Sequence, residues 1–132
     1  MTLHLQNVSV DSLDPSRLAA FWAEVLDWRI TFDDGAEVVL EPPAGSPQEG
    51  ISPDIVFIRV PNARVAKSRL HLDLRPRDQF AEVQRVEALG ATRVDIGQPS
   101  DCTWVVLADP EGNEFCVLRP FTPEESASLI DR

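Results

Sequence analysis

The sequence predicts an α+β fold made of two successive βαβββ modules. Three observations predict it. A strand pattern, a helix with one apolar face and three further strand patterns occur in that order twice along 132 residues. The segment closing the first helix, Leu26-Asp27-Trp28, is answered by Leu89-Gly90-Ala91 after the second. Between the halves, strand 55–60 is ended by Pro61, and residues 61–67 link the two patterns.

Each element has a local cause. Residues 3–11 mix apolar and polar side chains and read as the first strand. Asp14-Pro15 starts a helix, because the carboxylate accepts from free N–H groups and proline fits the first helical position. Leu18, Phe21, Trp22, Val25 and Leu26 recur at spacings of three and four, giving that helix one apolar face. Residues 28–32 form a strand, Asp33-Asp34-Gly35 a tight hairpin turn and residues 37–41 the return strand. Residues 42–53, rich in Pro, Gly and Ser, are a loop.

In the second module residues 70–74 alternate as a strand. Residues 77–89 are helical, with Phe80, Val83, Val86 and Leu89 inward and Gly90 as the stop. Residues 93–96, 103–108 and 114–119 are strands, and Asp109-Pro110-Glu111-Gly112-Asn113 turns between the last two. Thr122-Pro123-Glu124-Glu125 fits a capping box that opens a final helix. The expected organisation is one domain over 1–132, with module one at 3–61, module two at 67–120 and a terminal helix at 122–131.

Composition narrows the function classes. Hydrophobic residues make up 43% of the chain, enough for a core. The formal net charge is -10 and the sequence pI about 4.5, so a phosphate backbone would be repelled and nucleic acid is not an expected partner. No apolar run reaches the length of a membrane span, and no basic-then-apolar leader opens the sequence. The expected location is the cytoplasm, where Cys102 and Cys116 would be reduced thiols; they form no CxxC pair. Ser9 has no histidine near it in sequence, and no nucleophile elbow, P-loop or GxGxxG occurs.

A four-stranded sheet with one helix has one covered face and one open face. Two such modules side by side could curl their open faces into a shared cleft, and strand alternation says which side chains would face it. His71 and Asp73 are two apart and share a face, while Leu70, Leu72 and Leu74 take the other, toward a helix. His71 and Asp73 read either as an acid–base pair or as a structural network that satisfies backbone groups or meets Arg69 or Arg75. Trp104 either lines the cleft or packs in the core. His4 reads as a surface residue, and Arg59 and Arg69 either as holders of an anionic ligand or, the preferred reading, as partners in solvated salt bridges.

Three segments resemble a known family. Asp14-Pro15 with Phe21-Trp22 and Leu26-Asp27-Trp28 resembles its first helix. Lys67-Ser68-Arg69-Leu70-His71-Leu72-Asp73-Leu74 resembles the opening strand of its second module. Asp109-Pro110-Glu111-Gly112-Asn113-Glu114-Phe115-Cys116-Val117-Leu118 resembles its closing hairpin. Together they resemble the glyoxalase-like domains, common in actinobacteria, of the vicinal oxygen chelate superfamily, which includes bleomycin resistance proteins and dioxygenases. The resemblance covers about residues 5–120.

It implies paired βαβββ modules, a homodimer and a cleft that encloses a small molecule. It also implies a divalent metal, held in relatives by His, Glu and sometimes Gln from the first and last strands of each module, where it acts as a Lewis acid. Carried over, those ligand positions fall near Asn7, near Ile58, at His71 and at Cys116, where a metal-binding relative would usually carry Glu. Only His71 is a good ligand, and a site needs at least three. The expectation is therefore a small-molecule-binding protein without a complete metal site and with no cofactor, His71 being the one weak metal candidate. Its cleft would be lined by Asn7, Ser9, Ile58, His71, Asp73, Trp104 and Cys116. The alternative is a lyase/isomerase or dioxygenase-type enzyme, with a metal or acid–base site centred on His71 and with Asp73 as its catalytic partner.

Overall fold

A computed structural model describes residues 4–130. The chain divides into two compact units, Met1–Lys67 and Ser68–Arg132. The first holds β1 (Asn7–Ser12), α1 (Pro15–Leu26), β2 (Arg29–Asp33), β3 (Glu37–Glu41) and β4 (Asp54–Arg59). The second holds β5 (Leu72–Leu74), α2 (Gln79–Leu89), β6 (Thr92–Arg93), β7 (Val105–Ala108), β8 (Glu114–Val117) and α3 (Pro123–Ile130). The sheet orders are β1-β4-β3-β2 and β5-β8-β7-β6. In each sheet the first and last strands run parallel and the other neighbours antiparallel. The α+β architecture of two βαβββ units is the one the sequence predicts.

Local chemistry sets the helix ends. The Asp14 carboxylate accepts from the Arg17 N–H at 3.2 Å, and Pro15 takes the first helical position. Asp27 closes α1 in the left-handed region at φ 55, and the Trp28 N–H reaches back to the Ala23 carbonyl at 3.0 Å. The second helix repeats both devices. Asp78 accepts from the Ala81 N–H at 3.1 Å, and the Ala91 N–H donates to the Val86 carbonyl at 3.0 Å past Gly90 at φ 121. The Asp33-Asp34-Gly35 turn closes as expected, with Asp34 Oδ1 accepting from the Ala36 and Glu37 N–H groups at 2.9 and 2.8 Å. Those two N–H groups hold the Asp34 carboxyl below its ordinary range.

Packing follows the strand period. In the first unit Val38, Leu40, Ile55 and Phe57 point one way and are buried against Leu18, Phe21, Trp22 and Val25 of α1. In the second, Leu107, Phe115 and Val117 are buried with Val83 and Val86 of α2. Burying each such side chain contributes about 1.5–3 kcal/mol.

The structure corrects several expected boundaries. β1 begins at Asn7 rather than residue 3; Leu3 lies outside the described residues. β5 begins at Leu72, and Leu70 is 80% exposed instead of packed toward a helix. α2 begins at Gln79, because Asp78 is its cap, and Phe80 is 69% exposed rather than inward. In that first turn it is Gln79, not Phe80, that reaches the sheet, donating to the Val117 carbonyl at the end of β8. β6 spans Thr92–Arg93 instead of 93–96, and β7 begins at Val105. α3 ends at Ile130; residue 131 lies outside the described residues. Among the described residues no helix is long and apolar enough to cross a membrane.

Candidate functional site

The second unit brings three sequence-predicted residues together. His71 lies one residue before β5 and Asp73 within it, and alternation puts both on the side away from α2. The parallel pairing of β5 with β8 sets Asp73 opposite Cys116, and that of β7 with β8 sets Val106 opposite Cys116 from the other side. Asp73, Cys116 and Val106 thus form one rung across the open face.

On that rung His71 Nε2 lies 3.4 Å from Asp73 Oδ1, with the two side chains 55% and 50% exposed. The nearest ligating atoms of His71, Asp73 and Cys116 all lie within 4.8 Å of one another. Cys116 itself is buried. Burial first, and then the Asp73 carboxylate beside it, push its thiol up to about 11, so it carries its proton at neutral pH. A half-exposed imidazole and carboxylate over a buried thiol can hydrogen-bond a ligand, relay a proton or ligate a cation.

The pair is not absorbed by the neighbouring arginine. Arg75 donates to the Arg119 carbonyl at 2.7 Å and lies over the Phe121 ring at 4.2 Å. Trp104 precedes β7 and is 36% exposed, so it is not packed in the core; alternation from Val106 places it on the Cys116 face. Its carbonyl accepts from the Cys102 thiol at 3.3 Å. Gln79, which the sequence reading passed over, donates from Nε2 to the carbonyls of Thr103 and Val117 at 2.8 and 3.1 Å. It ties the start of α2 to the segment carrying Trp104 and to the end of β8. A polar residue directly after the capping Asp78 was the available signal.

The first unit gathers no such cluster from its predicted residues. Asn7 and Ser9 share a face of β1, and Asn7 Nδ2 donates to Ser9 Oγ at 3.0 Å. Ile58 is opposite Asp11, whereas Asn7 is opposite Asp54. Four residues of strand, about 13 Å, separate those rungs. The counterpart of Cys116 in this unit is Val56, not Ile58. Ser9 precedes the capping Asp14 by as many residues as Asp73 precedes Asp78, and Ser9 lies opposite Val56. His4 is exposed, as expected, beside Gln6 Oε1 at 3.4 Å. Among the described residues Arg59 has no salt-bridge partner; its guanidinium donates twice to the Gly35 carbonyl, at 3.2 and 2.9 Å.

Comparison with known proteins bears on the family and the fold. A family model described as a glyoxalase-like domain matches residues 7–118. Among solved structures, the chain is similar to a variant of the fosfomycin resistance protein FosX from Listeria monocytogenes, complexed with Mn(II) and dihydroxypropylphosphonic acid. The identity is 14%, the TM-score 0.68, and 98% of this chain and 99% of that one are covered. It is also similar to a glyoxalase/bleomycin resistance protein/dioxygenase family enzyme from Burkholderia phytofirmans, at 18% identity and TM-score 0.65 over 90% of this chain and 100% of that one. The oxidase ChaP-H2 shares 20% identity at TM-score 0.63, with coverage of 93% and 98%. These likenesses establish the fold. A comparison with curated proteins finds no match.

Proposed function

The chain belongs to the glyoxalase-like domain family, and on that premise we propose that it binds a small molecule on the open face of its second sheet, anchored by His71 and Asp73. The observation that carries this reading is the rung itself. An imidazole and a carboxylate stand 3.4 Å apart and half exposed on the rung of buried Cys116 and Val106, and alternation puts Trp104, 36% exposed, on the same face. Such a surface offers a polar anchor with an aromatic side chain on the same face, groups that a ligand site combines. In this reading the four-position metal set carried over from relatives is incomplete, since Asn7 and Ile58 occupy separate rungs and Ile58 has no donor atom.

The test is a thermal-shift screen of chelator-treated protein with planar aromatic molecules, some carrying a hydrogen-bond donor and acceptor. A ligand at a hundredfold excess over its Kd stabilises the protein by about 2.7 kcal/mol. His71→Ala and Asp73→Asn should remove that shift. A broad panel without a single binder would sink the reading.

A second reading is favoured by the His71–Asp73 contact, because a carboxylate that orients an imidazole is the arrangement of a general base. The protein would then be a lyase/isomerase or dioxygenase-type enzyme centred on His71. With a substrate in hand, turnover unchanged in His71→Ala would remove this reading.

A further inference from the structure

We propose that His71, Asp73 and Cys116 bind a thiophilic divalent cation, with Zn(II) as the type, and leave one coordination position open to solvent. The inference rests on the placement of the functional face argued above, and it assigns that face a different donor set from the one relatives use. One imidazole nitrogen, one carboxylate oxygen and one sulfur lie within 4.8 Å of one another in a single sheet. Ligands of a tetrahedral zinc stand about 3.3–3.8 Å apart, given bond lengths of about 2.0–2.3 Å. The His71–Asp73 separation of 3.4 Å already falls in that span. Side-chain rotation can close the rest, because His71 and Asp73 are half exposed.

Charge points the same way. Among the described residues no lysine or arginine lies at ion-pair distance from Asp73, whose neighbour at that distance is the His71 imidazole. Arg75, two residues on, is turned to the Arg119 carbonyl and the Phe121 ring. In a chain of net charge -10, this carboxylate beside a buried thiol lacks a fixed cation. A divalent ion supplies one. Binding releases the thiol proton to solvent and forms the metal–sulfur bond, so a neutral imidazole, a carboxylate and a thiolate cancel the ion's two charges.

Donor chemistry selects the metal. A thiolate favours zinc, cobalt or cadmium over magnesium, calcium or manganese, which prefer oxygen. Against the ligand positions of relatives, a cysteine here breaks the set. The parallel register of β5 and β8 instead supplies Asp73 as the third donor. Three protein ligands with an open fourth position is the pattern of zinc sites that bind an external ligand.

The experiment is a Co(II) titration of chelator-treated, reduced protein, followed by the near-ultraviolet charge-transfer band of a cobalt–thiolate bond. The expected result is saturation at one cobalt per chain, with displacement by one equivalent of Zn(II). Cys102→Ser should keep the band and Cys116→Ser should lose it. Asp73→Asn should weaken binding at least about tenfold. No band in the unaltered protein overturns the proposal, as does a band that survives in Cys116→Ser. If Cys116→Ser fails to fold, Asp73→Asn decides, and unweakened cobalt binding in that exposed-site variant overturns it. The small-molecule screen is run in chelator, so the two readings fail separately: ligand binding without a cobalt band removes only the metal, and a cobalt band without a ligand removes only the small molecule.

Discussion

The two units share one topology and divide the work differently. The first is built for burial. Its β1 and β4 have six residues each, and α1 buries Leu18, Ala19, Phe21, Trp22 and Val25. The second is leaner, with a three-residue β5, a two-residue β6 and an α2 that buries Val83 and Val86. Their open faces differ in the opposite sense. Polar groups on the first are paired among themselves: Asn7 with Ser9, and Arg29 with Glu41 and Glu49 at 3.4 Å each. On the equivalent rung, Ser9 and Val56 in the first unit become Asp73 and Cys116 in the second. A doubled module can thus keep one copy for packing and place its chemistry on the other, because the helix-facing and open sides of a sheet are read by alternate residues.

The largest expected effect tests the packing half of this contrast. Leu18 on α1 is 1% exposed, whereas Phe80 on α2 is 69% exposed. Leu18→Ala should cost about 3 kcal/mol, from lost transfer energy and the cavity left behind. Phe80→Ala should cost less than about 0.5 kcal/mol despite removing a larger side chain. Urea unfolding of the two variants measures both. Equal costs would mean that α2 is packed as firmly as α1, and the contrast would fall.

Phe80 also shows where sequence stops being legible. Elements whose cause is local could be read: the Asp14-Pro15 helix start, the apolar face of α1, the Asp33-Asp34-Gly35 turn and the capping box at Thr122. That box closes with the Thr122 N–H on Glu125 Oε1 at 2.9 Å and the Glu125 N–H on Thr122 Oγ1 at 3.2 Å. Helical periodicity assigns Phe80 to the inner face, but the first turn of α2 directs Gln79 to the end of β8 instead, through its bond to the Val117 carbonyl, a contact distant in sequence. The shared face of His71 and Asp73 followed from alternation. The approach of Cys116 did not, because it depends on the register of two strands far apart in sequence. The same non-local register moves the first-unit counterpart from Ile58 to Val56.

The connection before the last strand sharpens the contrast at intermediate scale. In the first unit the β3–β4 connection is a long loop in which exposed Glu49 accepts from the Gly45 N–H. In the second, the β7–β8 turn is organised by Asp109, 4% exposed. Its Oδ1 accepts from the N–H groups of Glu111 and Asn113 at 2.9 and 3.0 Å, and Asn113 Nδ2 binds both carboxylate oxygens. Asp109→Ala strands those donors and should cost about 2 kcal/mol. Glu49→Ala should cost less than about 0.5 kcal/mol. A cheap Asp109→Ala would show that the register presenting Cys116 to Asp73 does not depend on this turn.

The smallest expected effect concerns a feature of the second unit alone. α3 begins where the Glu125 carboxylate meets Arg119, at 2.8 Å from Nη1 and 3.2 Å from Nη2. The Arg119 guanidinium first, then the Thr122 N–H, lower the Glu125 carboxyl from 4.5 to about 2. A carboxyl lowered on folding contributes stability that is whole above its unfolded value and is lost as pH falls through the folded one. The clamp should therefore hold at pH 5 and release between about 4.5 and 2, with α3 fraying while α1, capped by Asp14 and packed by Trp22, keeps its protection. Hydrogen exchange read by mass spectrometry over peptides from each helix measures this. Glu125→Gln removes the ion pair at every pH, so its α3 should exchange faster at pH 5 and gain little further from acid. An α3 in the unaltered protein that exchanges at the same pH-corrected rate at pH 5 and pH 2.5 would show that the ion pair contributes nothing to holding the helix, as is common for exposed pairs. The capping bonds of Thr122 would then be what starts α3.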